Sequence, residues 1–234
     1  MGREAGAGGA EVAVIVGAGA GLSASLARLL AGEGFGVALA ARDTAKLAGL
    51  GAETGARLYA CDATRPGEVD DLFTRVAGDL GPPALVIYNA SFRVRGELVG
   101  LDREQVARTL EVTAYAGFLV GQAAARIMLA RGAGTILFTG ASASVKGYAR
   151  SAPFAMGKFA LRGLAQSMAR ELAPRNIHVA HFVIDGGIRK PGGTDDGDAT
   201  LHPDAIARTY LDIHRQQRSA WTWEVELRPW VETF

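Results

Sequence analysis

Short apolar, β-branched runs alternate along the chain with longer stretches in which leucine and alanine recur at helical spacing. The runs Val12–Val16, Gly36–Ala41, Arg57–Cys61, Ala84–Tyr88, Thr135–Thr139, His178–Ile184 and Val225–Leu227 predict strands. Several show little polar alternation, as expected of strands covered on both faces. Between them, Leu22–Glu33, Thr44–Leu50, Glu68–Gly78, Arg103–Ala130 and Ala155–Leu172 predict helices. Leu26, Leu29 and Leu30 make one apolar stripe, and Leu161, Leu164 and Met168 another. Strand–helix alternation of this kind implies βαβ units in an α/β fold: a doubly wound parallel sheet of about seven strands, flanked by helices on both faces. The irregular stretch from Gly186, rich in glycine and aspartate, is expected to be a lid over about residues 186–202, beyond the strand C-termini where ligands bind.

The first predicted strand runs into Gly17-Ala18-Gly19-Ala20-Gly21-Leu22-Ser23 and then a leucine-striped helix. Glycines at such a turn let the backbone approach a diphosphate, whose charge rests at the helix N-terminus. In that setting the turn predicts a dinucleotide-binding, Rossmann-type domain, with Gly17, Gly19, Ala20, Gly21, Leu22 and Ser23 around the phosphates. The second strand ends in Ala41-Arg42. An NAD site commonly places an acid there to hold the ribose hydroxyls. Ala41 offers no carboxylate to repel a 2′-phosphate, and Arg42 can grip one. NADP(H) is therefore preferred, with NAD(H) possible; Asp43 is expected to cap the following helix.

Composition narrows the function further. The 234 residues carry 25 Lys and Arg against 24 Asp and Glu, which gives no footprint for nucleic acid or an anionic membrane surface. The longest apolar runs fall short of the roughly 20 residues of a membrane span. A single cysteine, Cys61, suits a reducing compartment, so the expected location is cytoplasmic. Residues 1–10 read as a flexible leader and 11–234 as one domain, with a small-molecule substrate.

These residues identify the chain as similar to the short-chain dehydrogenase/reductase superfamily, over essentially Glu11 to Phe234. Gly17, Gly21 and Ser23 match that family's T-G-x-x-x-G-x-G turn, with Val16 for the threonine and Ser23 for the last glycine. Asp62 matches its adenine-ring aspartate, next to Ala63, and Tyr88-Asn89-Ala90-Ser91 its N-N-A-G segment. The resemblance also places Ile188 at the cofactor and Lys158 at the lysine of the Y-x-x-x-K motif. That lysine holds the nicotinamide ribose and lowers the tyrosine pKa in an Asn–Ser–Tyr–Lys tetrad. Alignment on Lys158 puts Phe154 at the tyrosine, Ala141 at the serine and Thr113 at the asparagine. Phenylalanine has no proton to give, so activity requires another donor or a substrate, such as an iminium ion, that needs none. Ser142, one residue past the serine position, Tyr148 and Lys158 are the candidate donors. The resemblance further implies a homodimer or homotetramer built on Arg103–Ala130 and Ala155–Leu172.

The expected function is an NADP(H)-dependent oxidoreductase of a small or medium carbonyl, imine or alcohol, with Lys158, Ser142, Thr113 and Phe154 in the catalytic positions. A non-catalytic dinucleotide sensor and a non-redox enzyme on the same fold stand as alternatives. No metal site is expected. His178 and His181, three apart in a strand, point to opposite faces, and Asp195, Asp196 and Asp198 lack the calcium-loop pattern. Trp221, Trp223 and Trp230 are expected to pack the last strand and a subunit contact.

Overall fold

The computed structural model describes residues 9–194 and 197–232. Most of the leader, Asp195, Asp196 and the last two residues lie outside that set. Among the described residues, seven parallel strands form one sheet in the order β3-β2-β1-β4-β5-β6-β7. They are β1 Val12–Val16, β2 Gly36–Ala41, β3 Arg57–Ala60, β4 Leu85–Tyr88, β5 Gly134–Thr139, β6 Ile177–Ile184 and β7 Glu224–Leu227. The helices are α1 Leu22–Gly32, α2 Ala48–Thr54, α3 Pro66–Asp79, α4 Arg103–Leu110, α5 Ala116–Arg131, α6 Ala152–Leu172 and α7 Pro203–His214.

Parallel strands require crossovers, and the crossovers put helices on both faces. Every residue of β1 and β6 is buried, which is why these runs lack polar alternation. One apolar core packs α3, α5 and α6 against Val12, Val14, Val16 and Tyr88, and the other packs α1 and α7 against Ala13, Ile15, Leu39 and Phe182. Chain order reverses between β1 and β4, which pair side by side. The carboxyl ends of those two strands make the crevice where such sheets bind ligands.

The structure changes the predicted elements in three places. Thr44–Leu50 is a 3₁₀ turn over Ala45–Leu47 followed by α2; its cap position is Thr44 rather than Asp43, which accepts the Ala45 N–H at 3.1 Å from one residue earlier. The helix α7 was not predicted at all. Pro203 opens it, and Ile206, Tyr210 and Ile213 repeat at helical spacing against α1. Third, Arg103–Ala130 is broken by a π-turn at Glu111–Tyr115. The whole helical run, Arg103–Arg131, is long and apolar enough to cross a membrane by length and composition. More than half of that apolar window is buried inside the domain, under β4 and β5, so its apolarity serves the core.

Candidate active site

Two hollows meet at the crevice. One, about 460 Å³, is lined by Gly17, Gly19, Ala20, Arg42, Asp62, Ala63, Asn89, Ala90 and Ser91. The other, about 980 Å³, is lined by Leu22, Asn89, Ser91, Ser142, Phe154, Lys158 and Ile188. Asn89 and Ser91 belong to both. Most of the expected cofactor residues therefore converge on two adjoining hollows that share a wall. Gly21, Ser23 and Thr113 line neither hollow.

The glycine turn is held against the end of β4. Gly17 has φ +81°, and a Cβ there would sit 2.4 Å from the Ala90 nitrogen. The amides of Gly17 and Ala18 both donate to the Ala40 carbonyl at 3.0 Å. The next amides open α1, where the first N–H groups lack intrahelical partners and can face a diphosphate. Ser23 is buried and accepts a 2.8 Å bond from Asn89 Nδ2, locking the turn to the segment after β4. Arg42 stands exposed on the wall of the smaller hollow, near Asp62 and Ala63 on its lining. Asp62 accepts two bonds from Thr64 and one from Arg108. Burial would raise its pKa, but these bonds prevail and hold it below the ordinary aspartate value. Those residues fit a dinucleotide: a floor that admits no side chain, helix-start amides, and a guanidinium where the ribose would lie.

In the larger hollow, α6 presents Phe154 and Lys158 one turn apart. Lys158 is 3% exposed and its Nζ donates to the Thr139 carbonyl at 2.7 Å, while burial pushes its pKa down to about 7. Its Nζ lies 5.7 Å from the centre of the Phe154 ring. Behind it, His181 is fully buried, with Nδ1 3.1 Å from Glu224, and Glu224 is gripped by two bonds from Arg162. Burial drops the His181 pKa to about 4, so it is neutral and adds no competing charge. Ser142 and Tyr148 line the cleft, and Ala141 presents no hydroxyl.

Thr113 does not line the cleft. It is buried in the π-turn beneath Gly157, where a Cβ would sit 2.9 Å from the Thr113 Cβ. Its hydroxyl accepts the Phe92 N–H at 3.4 Å, and the Tyr88 hydroxyl donates to the neighbouring Val112 carbonyl. Thr113 thus positions the segment after Asn89.

Ile188 pairs with Leu201, and the Leu201 N–H donates to the Gly187 carbonyl, so the two ends of the expected lid segment are tied together. Asp195 and Asp196 lie outside the described residues, while Asp198 stands 3.9 Å from Arg189. Trp221 stacks on His178, Trp223 lies beside the Arg162 guanidinium, and Trp230 is exposed. Arg93, Arg95 and Arg150 also line the cleft. They were missed in sequence; the available signal was a basic pair two residues past Ser91, just after the β4 carboxyl end.

The short chain dehydrogenase family model matches residues 11–191. The chain belongs to the short-chain dehydrogenase family. Among curated relatives, the 3-oxoacyl-[acyl-carrier-protein] reductase MabA of Mycobacterium tuberculosis is 30% identical over 175 residues, 75% of this chain and 68% of that protein. Carbonyl reductase family member 4 of Xenopus tropicalis is 28% identical over 72% of each chain. A short-chain dehydrogenase structure from Rhodopseudomonas palustris is 37% identical with a TM-score of 0.83, covering 94% of this chain and 99% of its own. A metagenomic short-chain oxidoreductase solved in complex with NADP is 26% identical with the same TM-score, covering 94% and 98%.

Proposed function

We propose that the protein is an NADP(H)-dependent oxidoreductase that reduces a small or medium carbonyl or imine, or oxidises the matching alcohol, without a tyrosine proton donor. The observation that carries this is the pair of adjoining hollows, one at the glycine turn and one at buried Lys158, that share Asn89 and Ser91. The NADP complex of a relative 26% identical supports the cofactor class, and Arg42 in place of an acid supports the 2′-phosphate.

The bound cofactor would supply the hydride. Gly17 to Ser23 would seat its diphosphate, Arg42 its 2′-phosphate, Asp62 and Ala63 the adenine side, and Asn89 to Ser91, Lys158 and Ile188 the nicotinamide half. Phe154 cannot transfer a proton, so the arrangement loses general acid help worth roughly 10²–10⁴-fold in rate unless another group provides it. Lys158, with a pKa near neutrality, can hold or release a proton at Nζ, and Ser142 offers a hydroxyl on the same wall. A charged imine would need neither.

The test is NADPH consumption, followed by absorbance, across ketones, aldehydes, cyclic imines and enones, each class tried as neutral compounds and as carboxylate- or phosphate-bearing ones. Turnover with at least one class is expected. Tight NADPH binding with silence across the panel would reject catalysis and favour the dinucleotide-sensor reading, which the loss of hydroxyls at both Phe154 and Ala141 motivates. In that case Phe154→Tyr with Ala141→Ser should create activity that the parent lacks. The proposed assembly is a homodimer or homotetramer, supported by exposed Tyr115, Phe118, Met156 and Phe159 on the π-turn, α5 and α6.

A further inference from the structure

The cleft carries positive charge that hydride transfer to a neutral carbonyl does not use. Arg93 and Arg95 come from the segment after β4, and Arg150 from the segment before α6. A backbone bond of 3.1 Å from the Gly96 N–H to the Arg150 carbonyl ties the two segments together. The Arg93 guanidinium carbon lies 4.9 Å from the centre of the Phe154 ring, a cation–π contact that holds this charge beside the reaction centre. Burial, with Arg95 nearby, lowers the Arg93 pKa from the ordinary guanidinium value, although the group stays charged. Arg150 adopts φ +61°, a left-handed conformation that non-glycine residues seldom take and that concentrates at ligand-binding sites.

Among the described residues, no carboxylate forms an ion pair with Arg93, Arg95 or Arg150. Two acids line the same cleft. Asp185 is held by Arg228 at 2.7 Å and Lys146 at 3.5 Å, which leaves Glu232 against three guanidinium groups and Lys158. Like charges around a walled hollow focus their field into it and draw in an anion. The planar guanidinium fork matches a carboxylate or phosphate.

We propose that the substrate is itself an anion: a carbonyl or imine compound bearing a carboxylate or phosphate that Arg93, Arg95 and Arg150 hold while its reducible carbon faces Lys158. The chemistry rests on the oxidoreductase reading; the anion site is measured apart from it.

The experiment is calorimetric titration of the full chain at low salt with benzoate, phenyl phosphate and neutral benzamide, with and without saturating NADPH. Either anion is expected to bind at least about tenfold tighter than benzamide, the tighter one telling carboxylate from phosphate. Raising the salt should weaken the anions and leave benzamide unchanged. Arg93→Met and Arg150→Asn, the latter chosen because asparagine tolerates positive φ, should each weaken anion binding about fivefold or more. Arg93→Lys, which keeps the charge, should weaken it less. Equal binding of benzoate and benzamide overturns the proposal, as does unchanged anion binding in both charge-removing variants. Displacement of benzoate by adenosine 2′,5′-bisphosphate also overturns it, because the anion would then occupy the nucleotide site. Failure of NADPH to bind while the anion preference persists removes the oxidoreductase reading and leaves the anion site standing.

Discussion

A methyl group on Gly17 would press into the Ala90 backbone, and the φ of +81° at this position is itself unfavourable for any residue with a Cβ. Gly17→Ala is therefore expected to cost about 2–4 kcal/mol of stability and to abolish NADPH binding, measured by thermal melting and fluorescence titration. Arg42→Ala should weaken NADPH at least about tenfold while changing NADH much less, because only NADPH offers the 2′-phosphate. Lys158 gives a pH signature. Its folded pKa, about 7, lies below the unfolded value of 10.5 because burial disfavours the charge. Between these values the unfolded chain binds more protons, so the folded state gains stability as pH rises through that window. Below pH 7 the burial penalty is fully present. The cofactor-free parent should thus gain stability relative to Lys158→Met from pH 7 toward 10; a pH-independent difference in melting temperature would contradict the assignment.

At the scale of elements, the π-turn between α4 and α5 replaces a uniform helix just where the chain must hold the segment after β4. Thr113→Val keeps the shape and removes the acceptor for the Phe92 N–H. The expected cost is about 1 kcal/mol, with faster amide exchange at residues 92–96 and little change in the sheet. Element existence was largely legible in the sequence, since buried β-branched runs and leucine stripes state their own periods. The π-turn was not, because α5 is apolar on most of its faces, so the roughly 100° shift in phase that an extra residue causes leaves no mark on the pattern. The missed α7 has a different cause: its Pro203 start follows the irregular lid stretch, and its apolar face is meaningful only against α1.

Across the whole molecule, exposed Tyr115, Phe118, Met156 and Phe159 give the π-turn, α5 and α6 an apolar outer surface that one copy leaves uncovered. Phe118→Asp combined with Phe159→Asp is expected to shift light-scattering mass from an oligomer to the monomer of 24.4 kDa without loss of helical signal. A parent already monomeric at micromolar concentration would exclude this interface. By itself the sequence determined the alternating elements and the glycine turn between β1 and α1, because local periodicity and short-range backbone geometry are written in neighbouring residues. Only the tertiary structure decided that Asn89 locks Ser23, that Thr113 lies beneath the cleft, and that Arg93 and Arg150 share one rim. Each of those pairs is far apart in the chain. The strand order that brings them together is set by packing both sheet faces, a condition on the entire chain at once.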